Sequence, residues 1–333
     1  PLSDHGDPMR DWVEAHGTER MKRAGSNDLD RAYAAADFIR RRRRHQERPF
    51  FLSLGMWSTH REYPQVAEDI NPALAGPPAP IHDTGDTRRD FAQYMTRVRY
   101  ADYCFGVVYR ALEENGMLDD TLVFFTTDHG IAFPFMKCRL NDAGTGVSLL
   151  MRFPGNRGGG GRAVDGLVSH LDIFPTICEL AGIEKPDRLE GVSLLPLVDG
   201  TTGDVRDEVF SEVTFHAAYE PMRSVRTRRY KYIRNYSDFE TTIAPNVDPG
   251  PTKSFLLEHG LLERRGEREE LYDLYFDPNE KNNLADDAAH ASIRDDLDAR
   301  LQKWMEQTND PLLNGEVRQP ANATVTPPDV VDP

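Results

Sequence analysis

The stretch Thr-Leu-Val-Phe-Phe-Thr-Thr-Asp-His-Gly, residues 121–130, decides the fold that this sequence predicts. Its β-branched and aromatic residues run without Pro or Gly until Asp128, which is typical of a strand buried on both faces, as in a parallel sheet. In open α/β sheets the ligand crevice lies beyond the carboxyl ends of the strands, so Asp128 and His129 occupy a favourable position for chemistry. Taken alone, the triplet Asp-His-Gly is better explained as a turn or a helix cap.

A second apolar run ends in the same way. Residues 49–59 read Pro-Phe-Phe-Leu-Ser-Leu-Gly-Met-Trp-Ser-Thr, and His60 and Arg61 follow directly. If both strands belong to one parallel sheet, their carboxyl ends meet at one edge, and His60 then lies beside Asp128 and His129. Two strands that present titratable groups at corresponding ends favour a shared polar pocket over two unrelated caps.

The surrounding segments predict an α/β fold with a mostly parallel sheet sandwiched by helices. Apolar residues at helical spacing predict helices over 29–45, 89–115 and 171–181. Apolar runs predict further strands over 147–153 and 164–168. The Pro-rich segment 63–80 reads as an extended loop, either a wall of the pocket or a plain surface connection.

From residue 204 onwards the pattern changes to short alternating strands separated by turns, which is typical of an antiparallel sheet. The strands are predicted over 209–215, 222–226, 230–235 and 270–276. A helix over 288–308 is expected to cover this sheet. The domain prediction is therefore a catalytic α/β portion over 1–203, a smaller antiparallel subdomain with its packing helix over 204–318, and an extended tail over 319–333.

Composition and charge exclude several classes of protein. The 333 residues include 40 basic and 55 acidic ones, and the formal net charge of −15 argues against a general binder of nucleic acid or acidic membranes. No stretch approaches the ~20 apolar residues that span a bilayer. Cys104, Cys138 and Cys178 form no metal-ligand pattern; each is typical of a small buried hydrophobe, and one disulfide stays open.

Five motifs, taken in order, resemble the sulfatases, the formylglycine-dependent branch of the alkaline phosphatase superfamily. They are residues 49–64 with the histidine-bearing strand, 116–130 with the metal-binding strand, Ser-His-Leu-Asp-Ile-Phe-Pro-Thr at 169–176, and two C-terminal signatures at 225–234 and 270–285. Each is weak alone, and together they cover nearly the whole chain. Residues 133–137, 212–214 and 219–226 are most similar to the N-sulfatase branch, which acts on the glycosaminoglycan heparan sulfate.

The resemblance implies a role for each residue at the predicted edge. Asp128 matches a ligand of the family's divalent cation, usually Ca²⁺, and His129 is its neighbour in the metal site. Because calcium prefers oxygen ligands, the imidazole of His129 also suits zinc. His60 is the candidate acid that protonates the leaving group, and the alternative is a structural histidine.

Basic residues are implied for the anionic substrate. Lys137 corresponds to the lysine that contacts the sulfate, unless it is a solvated loop residue. Arg61 and Arg139 would add positive charge to the pocket despite the acidic surface. From the second domain, three residues are hypothesised to select the substrate, with fold-holding polar contacts as the equal alternative: His216, Glu220 and Arg223.

One departure from the family pattern matters. The family's nucleophile lies in a Cys/Ser-x-Pro-x-Arg motif that is converted to formylglycine, and no such motif occurs here. The paired acidic metal ligands of the family's first strand are also missing. We therefore expect a C-terminal fragment of a sulfatase that lacks its nucleophile and is inactive alone. A periplasmic or extracellular location is expected over a cytoplasmic one, and the oligomeric state stays open.

The complete protein is accordingly expected to hydrolyse a sulfuric ester or sulfamate on a sulfated saccharide. Two alternatives remain. The first is a metal-dependent phosphatase or phosphodiesterase of the same superfamily, in which zinc would replace calcium. The second is a catalytically dead relative that binds sulfated glycans, which a full-length sequence without the nucleophile motif would support.

Overall fold

A computed structural model describes residues 7–23, 25, 27–43 and 48–333, with only the backbone of Arg43. The helices are α1 (Pro8–His16), α2 (Glu19–Lys22), α3 (Asp28–Arg43), α4 (Gly85–Glu114), α5 (Asp142–Thr145), α6 (Ile173–Ala181), α7 (Leu195–Val198), α8 (Pro251–Glu258) and α9 (Ala291–Thr308). The strands are β1 (Val123–Thr126), β2 (Leu149–Arg152), β3 (Glu208–Phe215), β4 (Tyr219–Thr227), β5 (Tyr230–Asn235) and β6 (Glu269–Asp273).

The chain forms two compact units that do not follow the predicted domain boundaries. The first comprises Pro1–Val123 and Asp248–Leu256, and the second comprises Phe124–Val247 and Leu257–Pro333. The predicted boundary after residue 203 stays a prediction. Among the residues described, no helix is long and apolar enough to cross a membrane.

The first unit is built on the pair α3 and α4. Asn27 starts α3, since its side chain accepts a hydrogen bond from the Asp30 amide at 2.8 Å. Thr84 and Thr87 form a reciprocal capping box at the start of α4, and Gly116 follows its end at φ 64°. Both predicted helices are confirmed, although the end of the first, near residue 45, lies outside the described residues. The two helices enclose a core that contains Leu29, Ala32, Ala36, Ile39, Tyr100, Cys104, Val107 and Ala111.

The strand predicted over 49–59 is wrong. Residues 49–57 are assigned neither helix nor strand, and Phe51 is 75% exposed. A strand needs a neighbour whose backbone groups pair with its own, and no described residue offers one to this run. Instead, the amides of Trp57 and Ser58 donate to the carboxylate of Asp28, each at 2.8 Å, which fixes the turn before His60.

The second unit holds a four-stranded antiparallel sheet in the order β3-β4-β5-β6. The four strands and the helix that were predicted for this region are confirmed, with ends shifted by a few residues. One face of the sheet packs against α9 through a cluster that contains Val225, Tyr232, Leu271, Leu297, Leu301 and Met305. The other face buries Leu140 against Met222, Ile233 and Tyr272. A sheet that is covered on both faces is a rigid support for the loop that carries Leu140.

A separate two-stranded sheet pairs β1 with β2. Both strands fall within the predicted runs 121–130 and 147–153 but are shorter, at four residues each. The strand predicted over 164–168 is wrong, because these residues are assigned neither strand nor helix. The mixed α/β class with a small antiparallel sheet is therefore observed, whereas the described residues place only β1 and β2 in the sheet expected to be wide and parallel.

Candidate active site

Asp128 and His129 lie in the second unit, two and three residues beyond the end of β1. The Asp128 side chain is 89% exposed, and its Oδ1 accepts from the His129 amide at 3.1 Å. The His129 ring donates from Nδ1 to the carbonyl of Gly130 at 2.6 Å, because a carbonyl oxygen only accepts. The other ring nitrogen, Nε2, lies 3.8 Å from Asp128 Oδ2. An open carboxylate and an imidazole nitrogen therefore face the same space.

These two side chains fit part of a metal site. The described residues contain no group of three or more His, Cys, Asp or Glu side chains arranged to hold a metal ion. Calcium takes about 6–8 oxygen ligands, so Asp128 and His129 would supply only part of its shell. The exposed carboxylate suits a hard cation, and the remaining ligands would have to come from outside this set.

The loop after His129 closes on itself through two glycines. The Gly130 amide donates to the carbonyl of Gly144 at 2.8 Å. A Cβ on Gly130 would lie 1.9 Å from the carbonyl oxygen of Ala143, and one on Gly144 would lie 2.2 Å from that of Arg139. Lys137 lies within this closed loop and is only 8% exposed, so it is not the solvated lysine of the alternative interpretation.

We expect Gly130→Ala to destabilise the second unit by about 1–3 kcal/mol, because the backbone at Ala143 must move to admit the methyl group. The urea midpoint of the chain measures the change. Gly203→Ala is the matched control, since a Cβ there meets nothing within 4 Å. Equal midpoints for the two variants would contradict the tight closure.

Arg139 holds the loop to the four-stranded sheet. Its Nη1 donates to Glu220 at 2.8 Å and its Nη2 to Glu270 at 3.2 Å. Burial disfavours the charged form, but the two carboxylates outweigh it and raise the pKa of Arg139 above its usual value. The second oxygen of Glu220 accepts from Asn246 at 2.9 Å. These contacts favour an anchoring role for both residues, and their predicted contact with substrate stays a prediction.

Asp142 forms a second anchor for the same loop. Its carboxylate accepts from Arg226 of β4 at 2.9 Å and from Lys231 of β5. Burial opposes its ionisation, but the hydrogen bonds from Arg226 and the charge of Lys231 outweigh burial and lower the pKa of Asp142 to about 2.

This lowered pKa makes a prediction about acid stability. Since the ordinary pKa of an aspartate is 3.8, the stabilisation from ionised Asp142 is fully present above that pH and is lost as the pH falls towards 2. Asp142→Asn is expected to lower the urea midpoint at neutral pH and to reduce its further fall between about pH 5 and pH 2. A variant that keeps the full acid dependence would show that other carboxylates cause it.

Arg223 is almost completely enclosed, with 1% of its side chain exposed. Its Nε and Nη2 donate to Asp310 at 2.5 and 3.1 Å, and its Nη1 donates to the carbonyls of Val213 and Met222, both at 2.9 Å. This arrangement favours the fold-holding interpretation. His216 lies in the turn between β3 and β4 and is exposed. The selectivity proposed for both residues stays a prediction.

His60 lies in the first unit, at the turn that Asp28 fixes. Its Nδ1 donates to the carbonyl of Arg61 at 2.6 Å, so in the neutral ring Nε2 carries the lone pair. The ring also lies against Trp57, with centroids 4.4 Å apart. A ring held by one nitrogen and one face is well oriented for proton transfer at the other nitrogen. The common pocket of His60, Asp128 and His129 stays a prediction.

Arg61 is held by a buried carboxylate that sequence patterns did not reveal. Its Nη1 and Nη2 donate to the two oxygens of Asp90 at 2.7 and 2.8 Å, and Thr252 donates its hydroxyl to the same carboxylate at 2.6 Å. Burial disfavours the charge of Arg61, but the bonds to Asp90 outweigh it and raise the pKa of Arg61. Asp90 appeared only as a polar position in a helix, and its partners are distant in sequence.

A further imidazole lies at the end of β1. Thr126 Oγ1 and His170 Nε2 are 2.8 Å apart, two residues before Asp128. His170 belongs to the Ser-His-Leu-Asp segment, whose Asp172 is fully buried and accepts from the Val192 amide at 2.9 Å and from Arg206. The motif was recognised as structural, but its proximity to β1 was not predicted.

The sequence matches two family descriptions. Residues 3–183 match "Sulfatase", and residues 130–258 match "N-sulphoglucosamine sulphohydrolase, C-terminal". The second match contains Lys137, Glu220 and Arg223. It begins directly after the pair Asp128 and His129, which the first match includes.

Curated relatives are similar over most of this chain but are longer. An ulvan-active sulfatase of Formosa agariphila is 28% identical, over 88% of this chain and 59% of its own length. The human N-sulphoglucosamine sulphohydrolase is 30% identical, over 80% of this chain and 62% of its own length. The chain therefore spans about three fifths of these two proteins.

Solved structures show the same fold. The phosphonate monoester hydrolase of Agrobacterium radiobacter superposes with a TM-score of 0.62 and 23% identity, covering 92% of this chain and 70% of that one. A complex of an enzyme with its substrate D-glucosamine-2-N,6-O-disulfate superposes with a TM-score of 0.55 and 22% identity, covering 70% of this chain and 44% of the other. At these identities the likeness supports the fold alone.

Proposed function

Because this chain belongs to the sulfatase family, we propose that it is part of a hydrolase that cleaves a sulfuric ester or a sulfamate on a sulfated sugar. The observation that carries this proposal is the open pair Asp128 and His129 beyond β1, inside the segment that matches the family. We also infer that β1 and β2 belong to a wider parallel sheet in a longer protein, and that the longer protein works outside the cytoplasm.

The substrate class is proposed from the relatives. The C-terminal match is to N-sulphoglucosamine sulphohydrolases, and one relative of the same fold binds D-glucosamine-2-N,6-O-disulfate as its substrate. A sulfated glucosamine of a glycosaminoglycan such as heparan sulfate fits both. The ulvan-active relative keeps other sulfated polysaccharides within the class.

Each residue of the chain then has a proposed part in the reaction. Asp128 and His129 would hold a divalent cation, most suitably calcium, that offsets the negative charge of the sulfo group. Lys137, enclosed in its loop, would contribute a positive charge to the same group. His60, whose Nδ1 is held by the Arg61 carbonyl, would use Nε2 to protonate the departing amine or hydroxyl.

The attacking group is proposed to be a formylglycine outside these 333 residues, because the sequence contains no Cys/Ser-x-Pro-x-Arg motif. We therefore expect no turnover from this chain alone. The test is to read the frame upstream of Pro1, express the longer product, and assay it on N-sulfated and O-sulfated glucosamine with measurement of its bound metal. Release of sulfate with bound calcium supports the proposal.

A phosphatase or phosphodiesterase of the same superfamily is the second candidate. Two observations favour it: the imidazole of His129 suits zinc, and the fold is shared with a phosphonate monoester hydrolase. Stoichiometric zinc together with phosphoester turnover and no sulfate release would replace the sulfatase proposal. A longer product without the nucleophile motif that binds sulfated glycans would instead identify a non-catalytic relative.

A further inference from the structure

A cavity of 270 Å³ lies in the first unit, beside α4. Four arginines and two glutamates contribute to its lining: Arg20, Arg23, Arg61, Arg97, Glu19 and Glu62. Both glutamates are exposed to solvent, which screens their charge. The cavity therefore has an excess of positive charge, although the chain as a whole carries −15.

Arg97 is the buried residue of this cavity, with 2% of its surface exposed. In the part of the chain that the structure describes, its Nε and Nη1 are enclosed without a hydrogen-bond partner. A guanidinium buried in this way loses its hydration, and burial accordingly lowers the pKa of Arg97. A buried donor without an acceptor costs about 1–3 kcal/mol, and more when it is charged, so Arg97 is poised to gain a partner.

The nearby carboxylates are engaged elsewhere. Asp28 acts electrostatically on Arg97, but its two oxygens accept the amides of Trp57 and Ser58. Asp90 is occupied by both terminal nitrogens of Arg61. Neither carboxylate is therefore placed to neutralise Arg97.

A second guanidinium closes the cavity on its exposed side. The Arg20 guanidinium carbon lies 3.3 Å from the centre of the Trp57 ring, and both residues line the cavity. Arg20 is exposed, so it has room to swing from the ring towards a ligand. An anion between Arg20 and Arg97 would receive charge-assisted hydrogen bonds from both.

We propose that this cavity is a binding site for a tetrahedral oxyanion, either a free sulfate ion or the sulfo group of a sugar. Such a group has enough acceptor oxygens to receive Nε and Nη1 of Arg97 and a donor of Arg20 at once. The volume lies just below the about 300–1,000 Å³ of pockets for drug-sized ligands, which suits a small group. The proposal does not rest on the proposed function, since Asp128, His129 and Lys137 belong to the other unit.

The test measures binding to the 333-residue chain by calorimetry. Sodium sulfate is titrated at an ionic strength held constant with sodium chloride, and glucosamine 6-sulfate and unmodified glucosamine are titrated in parallel. Saturable binding of sulfate or of the sulfated sugar, with none of glucosamine, is expected. Tighter binding of the sulfated sugar identifies a sugar sulfo group as the ligand, and equal or weaker binding identifies the free ion.

Variants locate the binding. Arg97→Gln is expected to lower the affinity about tenfold to a hundredfold, which corresponds to the loss of charged hydrogen bonds. Arg99→Gln is the matched control on the same helix, because Arg99 is 54% exposed and pairs with Asp69 at the surface. It should bind like the wild type. No saturable binding, or equal affinity in wild type and Arg97→Gln, overturns the proposal.

Trp57 gives a second readout that does not depend on replacing a buried residue. Binding should draw Arg20 from the ring and change the Trp57 emission, and Trp57→Phe identifies that signal among the 3 tryptophans. In Arg20→Gln, an exposed substitution, the emission change should vanish and the affinity should fall. A ligand-dependent change that survives in Arg20→Gln contradicts the proposed geometry.

Discussion

Asp128→Asn is expected to lower turnover by about a hundredfold or more in the longer sulfatase product that carries the nucleophile motif. A bound cation contributes several kcal/mol of charge stabilisation in the transition state, and each 1.36 kcal/mol is about tenfold in rate. The Asp128 carboxylate is exposed and beside His129, so its conversion to an amide weakens metal binding with little effect on packing. The measurements are kcat and the bound metal per chain.

His60→Ala separates the metal role from the proton-transfer role. The loss of a general acid is expected to cost about 10²- to 10⁴-fold in kcat while the metal content stays at the wild-type level. Asp295→Asn, an exposed change on α9, should alter neither quantity. Full activity with unchanged metal content in Asp128→Asn would refute the assignment of Asp128.

Asp310→Ala is expected to destabilise the second unit by about 3–5 kcal/mol, the usual cost of breaking a buried ion pair. Asp310 is the main counter-charge of Arg223, and their side chains are 2% and 1% exposed. Its removal leaves a guanidinium in the interior, where Glu212, 3.3 Å away and itself 58% exposed, offers only a partial replacement. The urea midpoint followed by circular dichroism measures the effect.

The control is Asp238→Ala at the surface. Asp238 is fully exposed and pairs with Arg268 at 3.4 Å, and such pairs contribute about 0–1 kcal/mol. If both variants unfold at the same urea concentration, Arg223 does not depend on Asp310, and its predicted role towards substrate regains weight. A large difference between them favours the role that the contacts indicate, which is to hold β4 to the segment after α9.

Local patterns determined the regular elements of this chain correctly. The spacing of apolar residues and the signals at Thr84 and Gly116 predicted α4, because helix periodicity and capping act within a few residues. Alternation and turns likewise predicted β3 to β6 and α9. The order of motifs also predicted the sulfatase family, which the family match over residues 3–183 confirmed.

The same reasoning failed where an element needs a distant partner. Residues 49–59 have the composition of a buried strand, but a strand exists only when another backbone accepts and donates its hydrogen bonds. Within the described residues that partner is lacking, and Phe51 is left mostly exposed. Sequence composition shows what a segment prefers, and pairing depends on what lies beside it.

Sequence by itself thus determined the family, the helices and antiparallel strands, and the position of Asp128 and His129 beyond β1. Only the tertiary structure decided which charges meet. Arg139 pairs with Glu220 and Glu270, and Arg97 is enclosed without an acceptor among the described residues. The physical reason is range: periodicity and capping involve residues a few positions apart, whereas the energy of a buried charge depends on side chains that folding brings from tens of residues away.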